Sequence, residues 1–120
     1  MKTPIEIAQE ALDAANKAGD LWMALASPKY VVTDGRGRSQ GTMLDLCGNA
    51  HLQFKDKRSK NYKDFLKANL VRRSGNGVVE LNYRYTHRQE YGLHMACVEA
   101  AKKVFEDNGI ADVRIWSYID

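Results

Sequence analysis

Val78-Val79-Glu80-Leu81-Asn82-Tyr83-Arg84-Tyr85 opens the stretch, residues 78–118, whose reading decides the fold. It alternates: Val79, Leu81, Tyr83 and Tyr85 fall on one face, and Glu80, Asn82 and Arg84 on the other. A period of two is the pattern of a half-buried strand. Leu93, Cys97, Ala101, Val104 and Phe105 then recur at helical spacing. Asn108-Gly109 ends that helix, because glycine accepts the left-handed backbone of a C-terminal cap. Val113, Ile115, Ser117 and Ile119 begin a second alternating run. The stretch therefore predicts a strand over 78–86, a helix over 88–107 and a strand over 111–119. Such a connection is long enough for a right-handed parallel crossover.

Upstream, Thr3-Pro4-Ile5-Glu6 predicts a helix start: a cap, a proline at the first helical position and a glutamate closing a capping box. The apolar face that follows is wide but built from small residues (Ala8, Ala11, Ala14, Ala15, Ala18), which suits close approach to a sheet. Core packing is the simpler reading of that face and a dimer seam the alternative. Ser27-Pro28 stops the helix. Lys29-Tyr30-Val31-Val32-Thr33 reads as a strand, residues 34–41 as a turn or mobile loop, and residues 42–54 as a long second strand with a bulge or turn at Gly48-Asn49. Ser59 caps a short helix lined by Tyr62, Phe65, Leu66 and Leu70. The expected order is α-β-β-α-β-α-β. The expected fold is α+β: one domain over 1–120, with a mixed four-stranded sheet covered by three helices.

The composition is that of an ordinary globular chain, 44% hydrophobic and 28% charged over 120 residues. No apolar run approaches the ~20 residues of a membrane helix. The first residues lack the apolar core of a signal peptide, so a cytoplasmic protein is expected. Cys47 and Cys97 read as small buried thiols in a reducing compartment, with a disulfide between them left open. Net charge is +3 but uneven. Residues 27–92 carry thirteen Lys and Arg against six Asp and Glu, and the segments on either side are each net −2.

Catalytic and metal signals are sparse. His87 and His94 are seven apart and lack the third ligand and one-turn spacing of a metal site. Cys47 and His51 form the one local nucleophile–base pair, yet on a strand they stand ~13 Å apart. The run Gly35-Arg36-Gly37-Arg38-Ser39-Gln40-Gly41 lacks the Lys-Ser/Thr ending of a P-loop and the dinucleotide-binding glycine spacing. It reads as a turn or as a loop that contacts phosphates or an acidic protein. No catalytic residue, cofactor or metal is expected.

The basic middle is the strongest signal. Arg36, Arg38, Lys57, Arg58, Arg72, Arg73, Arg84 and Arg88 are the expected contact cations, with Tyr85 among them. Cations beside aromatics suit single-stranded nucleic acid, with charge for phosphates and ring faces for bases. No RNP signature, KH glycine loop, zinc finger or helix-turn-helix accompanies them. In the final strand Trp116 and Tyr118 point away from Val113 and Ile115. Either both faces of that strand are covered, or two aromatics are exposed for a partner. The same strand is the expected edge if two copies pair, so monomer and homodimer both stand.

The acidic, alanine-rich N-terminal helix, the basic middle and the last segment, Ala-Ala-Lys-Lys-Val-Phe-Glu-Asp-Asn-Gly-Ile-Ala-Asp-Val-Arg-Ile-Trp-Ser-Tyr-Ile-Asp (100–120), resemble the layout of small proteins encoded by bacteriophages and prophages. The resemblance implies an accessory role in a bacterial host, binding and blocking a host enzyme or a defence complex such as a CRISPR effector. The expected function is thus a non-catalytic inhibitor acting on a host protein complex or nucleic acid through its basic face. The rivals are a stand-alone RNA- or DNA-binding module and a small enzyme around His87, Glu90, Tyr91 and His94.

Overall fold

Thr3 caps the first helix, α1 (Pro4–Leu25), and does so reciprocally. The Glu6 N–H donates to Thr3 Oγ1 at 3.2 Å, and the Thr3 N–H donates to Glu6 Oε1 at 3.3 Å. The computed structural model describes residues 2–26, 46–72 and 75–120, and the strand backbones 30–33 and 39–43. The chain continues through β1 (Tyr30–Thr33), β2 (Ser39–Met43), β3 (Gly48–Phe54), α2 (Lys60–Lys67), α3 (Tyr91–Asp107) and β4 (Val113–Ile119). Ser59 caps α2 as its sequence predicts, accepting from the Tyr62 N–H at 3.1 Å. Asn108 closes α3, and Gly109 follows at φ +80°, the left-handed backbone that a Cβ disfavours.

The expected mixed four-stranded sheet is not what forms. Among the described residues there are two separate two-stranded antiparallel sheets, β1–β2 and β3–β4. Residues 42–54 divide into β2 and β3 instead of running as one strand. The largest correction concerns residues 78–86, which make no strand. Val78 bridges Gln53 and Val79 bridges Val71, and the ladder then stops. Its backbone bonds end with the Glu80 N–H donating to the Leu70 carbonyl at 2.8 Å. Beyond that point helices hold the chain. Tyr83 is buried beside His94 on α3, and the Arg84 N–H donates to Asn16 Oδ1 on α1 at 2.7 Å. The alternation of 79–85 thus records anchors to helices, not a sheet edge. With that strand gone there is no parallel crossover. β4 returns antiparallel to β3, in register from Gly48 opposite Ile119 to Phe54 opposite Val113.

The core is layered: the β3–β4 ribbon, then α3, then α1. Ala50, Leu52, Phe54 and Val113 face α3, which is buried at Leu93, Cys97, Val98, Ala101 and Phe105. Phe65 of α2 joins the layers, its ring 5.5 Å from Phe54 and 5.4 Å from Phe105. Burying each such ring stabilises the fold by about 2–3 kcal/mol. The small face of α1 serves close approach as expected, but to α3 and not to a sheet. Ala11 and Ala15 are fully buried there. At Gly19 an added Cβ would stand 2.5 Å from the Tyr85 ring and 2.9 Å from Cys97 Sγ, so only glycine fits that crossing. Cys97 and Cys47 are both free thiols. Burial, with the nearby Asp20 charge adding to it, pushes the Cys97 thiol up to about 11, which makes it a core side chain and not a nucleophile.

Candidate binding surface

Most of the arginines expected to form a basic patch already hold carboxylates. Arg58 bonds Asp56 through its backbone N–H at 2.8 Å and its Nε at 3.2 Å. Arg84 Nη1 lies 2.6 and 2.7 Å from the two Asp20 oxygens, and the Tyr85 hydroxyl donates to the same carboxylate. The Tyr85 and Arg84 bonds together hold Asp20 below the usual carboxylate range. Arg88 grips Glu90 through two nitrogens, at 2.5 and 3.0 Å. Burial pushes the Glu90 carboxyl up, but the Arg88 fork and backbone N–H groups outweigh it and the net shift is downward. Arg72 Nε stands 4.0 Å from Glu80. Arg36, Arg38 and Arg73 lie outside the described residues. Lys57 is exposed and has no ion pair among the described residues. Tyr85 and Arg84 thus clamp the 83–87 turn to α1, and neighbouring acids stand against Arg58, Arg72, Arg84 and Arg88.

The histidine cluster is also structural in its bonding. His94 is fully buried. Its Nε2 lies 2.7 Å from the Arg88 carbonyl and its Nδ1 2.5 Å from the Tyr83 hydroxyl. A carbonyl only accepts, so in the neutral ring Nε2 carries the proton and Nδ1 accepts from Tyr83. Both ring nitrogens are therefore committed. Burial raises the Tyr83 hydroxyl far above its ordinary range, so it stays protonated. Tyr91 donates to Ser117 Oγ at 3.1 Å, and His87 is exposed on the turn.

The feature that gathers exposed chemistry is the face of β3–β4 turned away from α3. Antiparallel register sets Asn49 beside Tyr118, His51 beside Trp116, and Gln53 beside Arg114. These six side chains share one face, because residues opposite each other on paired strands point the same way. Trp116 and Tyr118 are 46% and 41% exposed, so the second of the two sequence alternatives holds. The rings form a contiguous row. His51 stacks on Trp116 at 5.7 Å with 24° between planes, and Trp116 meets Tyr118 at 5.5 Å. Arg114 Nε donates to Gln53 Oε1 at 3.1 Å, a neutral partner, and Arg114 has no ion pair among the described residues. Beside His51 a cleft of about 150 Å³ opens, rimmed by Asn49, Arg72, Glu80, Asn82 and Thr86. Partial burial, then the charge of Arg72, lowers the His51 pKa, so the ring is neutral near pH 7.

Sequence reading found Trp116 and Tyr118 but missed His51, Gln53 and Arg114 as their neighbours. Only the register of β3 against β4 brings them together, and no local pattern encodes it.

Among the described residues, no group of three or more His, Cys, Asp or Glu side chains could hold a metal ion. No described helix is long and apolar enough to cross a membrane. No family model matches the chain, nor does any curated protein or solved structure.

Proposed function

We propose that this chain is a non-catalytic binding protein whose contact surface is the uncovered face of β3–β4. In the setting implied by its resemblance to phage-encoded proteins, it acts in the cytoplasm of a bacterial host. There it engages and blocks a nucleic-acid-handling or defence complex. The observation that carries this reading is the row Tyr118–Trp116–His51, flanked by Arg114 and Arg72. Exposed aromatics and arginines are the side chains that dominate binding energy at interfaces. Nearly half-exposed indole and phenol rings on a paired ribbon backed by α3 contribute large contact area at small entropic cost.

This reading moves the contact surface from the basic loops to the ribbon. Arg84, Arg88 and Arg58 already spend their charge on Asp20, Glu90 and Asp56. Affinity capture from a bacterial lysate with the full chain as bait tests the proposal. It should retain a nucleic-acid-handling complex, and adding the chain should inhibit that complex in its own assay. Retention of no specific component, or a captured complex whose activity is unchanged, would count against the blocking role.

A further inference from the structure

Resting on that choice of surface, we infer that the uncovered face of β3–β4 takes single-stranded nucleic acid directly. Its bases would stack on Trp116 and Tyr118, and its phosphates would run past Arg114 and Arg72.

Three features of the face favour this ligand. The six outward side chains of the two strands include no carboxylate. Glu80 sits at the margin opposite Arg72, and Asp120 follows Tyr118 by two residues at the end of the ribbon. Along the ribbon a polyanion therefore meets Arg114 and no carboxylate among the six outward side chains, with Arg72 and its partner Glu80 together at the margin. The rings are also available in a way that a duplex cannot use, because paired bases keep their faces inside the helix whereas unpaired bases offer theirs. The Trp116 and Tyr118 rings, with centroids 5.5 Å apart, present one continuous aromatic surface. The stack of His51 on Trp116 holds the indole from one side and leaves the residue 46% exposed. Finally, the cleft beside His51 is rimmed by Asn49, Asn82, Arg72 and Glu80. Amides, a guanidinium and a carboxylate supply both donors and acceptors for the edge of a base turned toward it.

The stacking chemistry is common to DNA and RNA, so the test carries an arm for each. The full chain with Trp22→Phe, leaving Trp116 as its one indole, is titrated with short oligo-dT, short oligo-rU and a duplex of equal length in dilute salt. Binding of either single strand with quenching of the indole, and weaker binding of the duplex, is the expected result. Read by the fluorescence anisotropy of a labelled strand, Trp116→Ala should weaken binding by about tenfold or more and Tyr118→Ala comparably, while Trp116→Phe retains part of it. The salt dependence should have a slope of about −1.4 in log–log form, and Arg72→Gln or Arg114→Gln should each reduce it by about 0.7. Thermal melts confirm that each variant is folded. The inference is overturned if neither single strand binds, if the duplex binds better, or if folded Trp116→Ala binds as the parent does. It is equally overturned if the face pairs two copies of the chain, seen as a dimer that Trp116→Ala dissociates. Failure here, alongside capture of a protein that depends on Trp116 and Tyr118, would leave the wider binding reading intact. Failure of both would remove the surface from consideration.

Discussion

His94 shows how much a single buried polar side chain can hold. It bonds the Tyr83 hydroxyl on the 83–87 turn and the Arg88 carbonyl just before α3, so it ties a long loop to the central helix. Replacing it with leucine leaves a buried hydroxyl and a buried carbonyl without partners. His94→Leu should therefore cost about 3 kcal/mol in denaturant unfolding at neutral pH, and Tyr83→Phe about 1–2 kcal/mol. A loss below the error of the measurement for both would show that these bonds do not secure the turn. His51 makes a different prediction, one about pH. Its folded pKa is lowered by burial first and by Arg72 second, whereas in the unfolded chain it is near 6.5. As pH falls below about 6.5 the unfolded state takes up the proton first, so stability is lost progressively until pH passes the lowered folded value. His51→Gln should flatten that part of the stability–pH curve, and an unchanged curve would contradict the assignment.

At the scale of the elements, the crossing of α1 over α3 depends on Gly19. Alanine is the better helix former by ~1 kcal/mol, yet its Cβ would meet the Tyr85 ring and Cys97 Sγ. Gly19→Ala should therefore destabilise, by about 1–3 kcal/mol net, measured by chemical denaturation. A gain in stability would mean that Tyr85 moves aside freely. The helices were legible in the sequence because their signals are local. Thr3 with Glu6, Ser59 with Tyr62, and Asn108 with Gly109 lie within a few residues of one another, and each acts as its sequence predicts. The sheet was not legible, for a physical reason visible at residues 78–86. Alternating burial arises equally from a ladder and from a loop pinned by side chains, and here Tyr83, Arg84 and Tyr85 are pinned to α1 and α3. The partners of those pins stand far away in sequence, Asp20 being 64 residues from Arg84.

The whole molecule separates two kinds of charged and aromatic residue that the sequence mixes together. Arg84, Arg88 and Tyr85 belong to the joint between the helices, where Asp20 and Glu90 meet them. Trp116, Tyr118, His51 and Arg114 belong to an open face carried on a ribbon that α3 backs from the other side. Removing rings from the open face leaves the core untouched, so Trp116→Ala combined with Tyr118→Ala should stay folded. The loss of ring contacts within the row should cost no more than about 1–2 kcal/mol. That separation makes the central claim directly testable. The measurement is a quantitative affinity capture from bacterial lysate, comparing the parent chain with the folded Trp116→Ala, Tyr118→Ala double variant. The parent should retain specific protein or nucleic acid that the double variant loses almost entirely. Equal retention by the two would contradict the claim that the face of β3–β4 is where this protein binds.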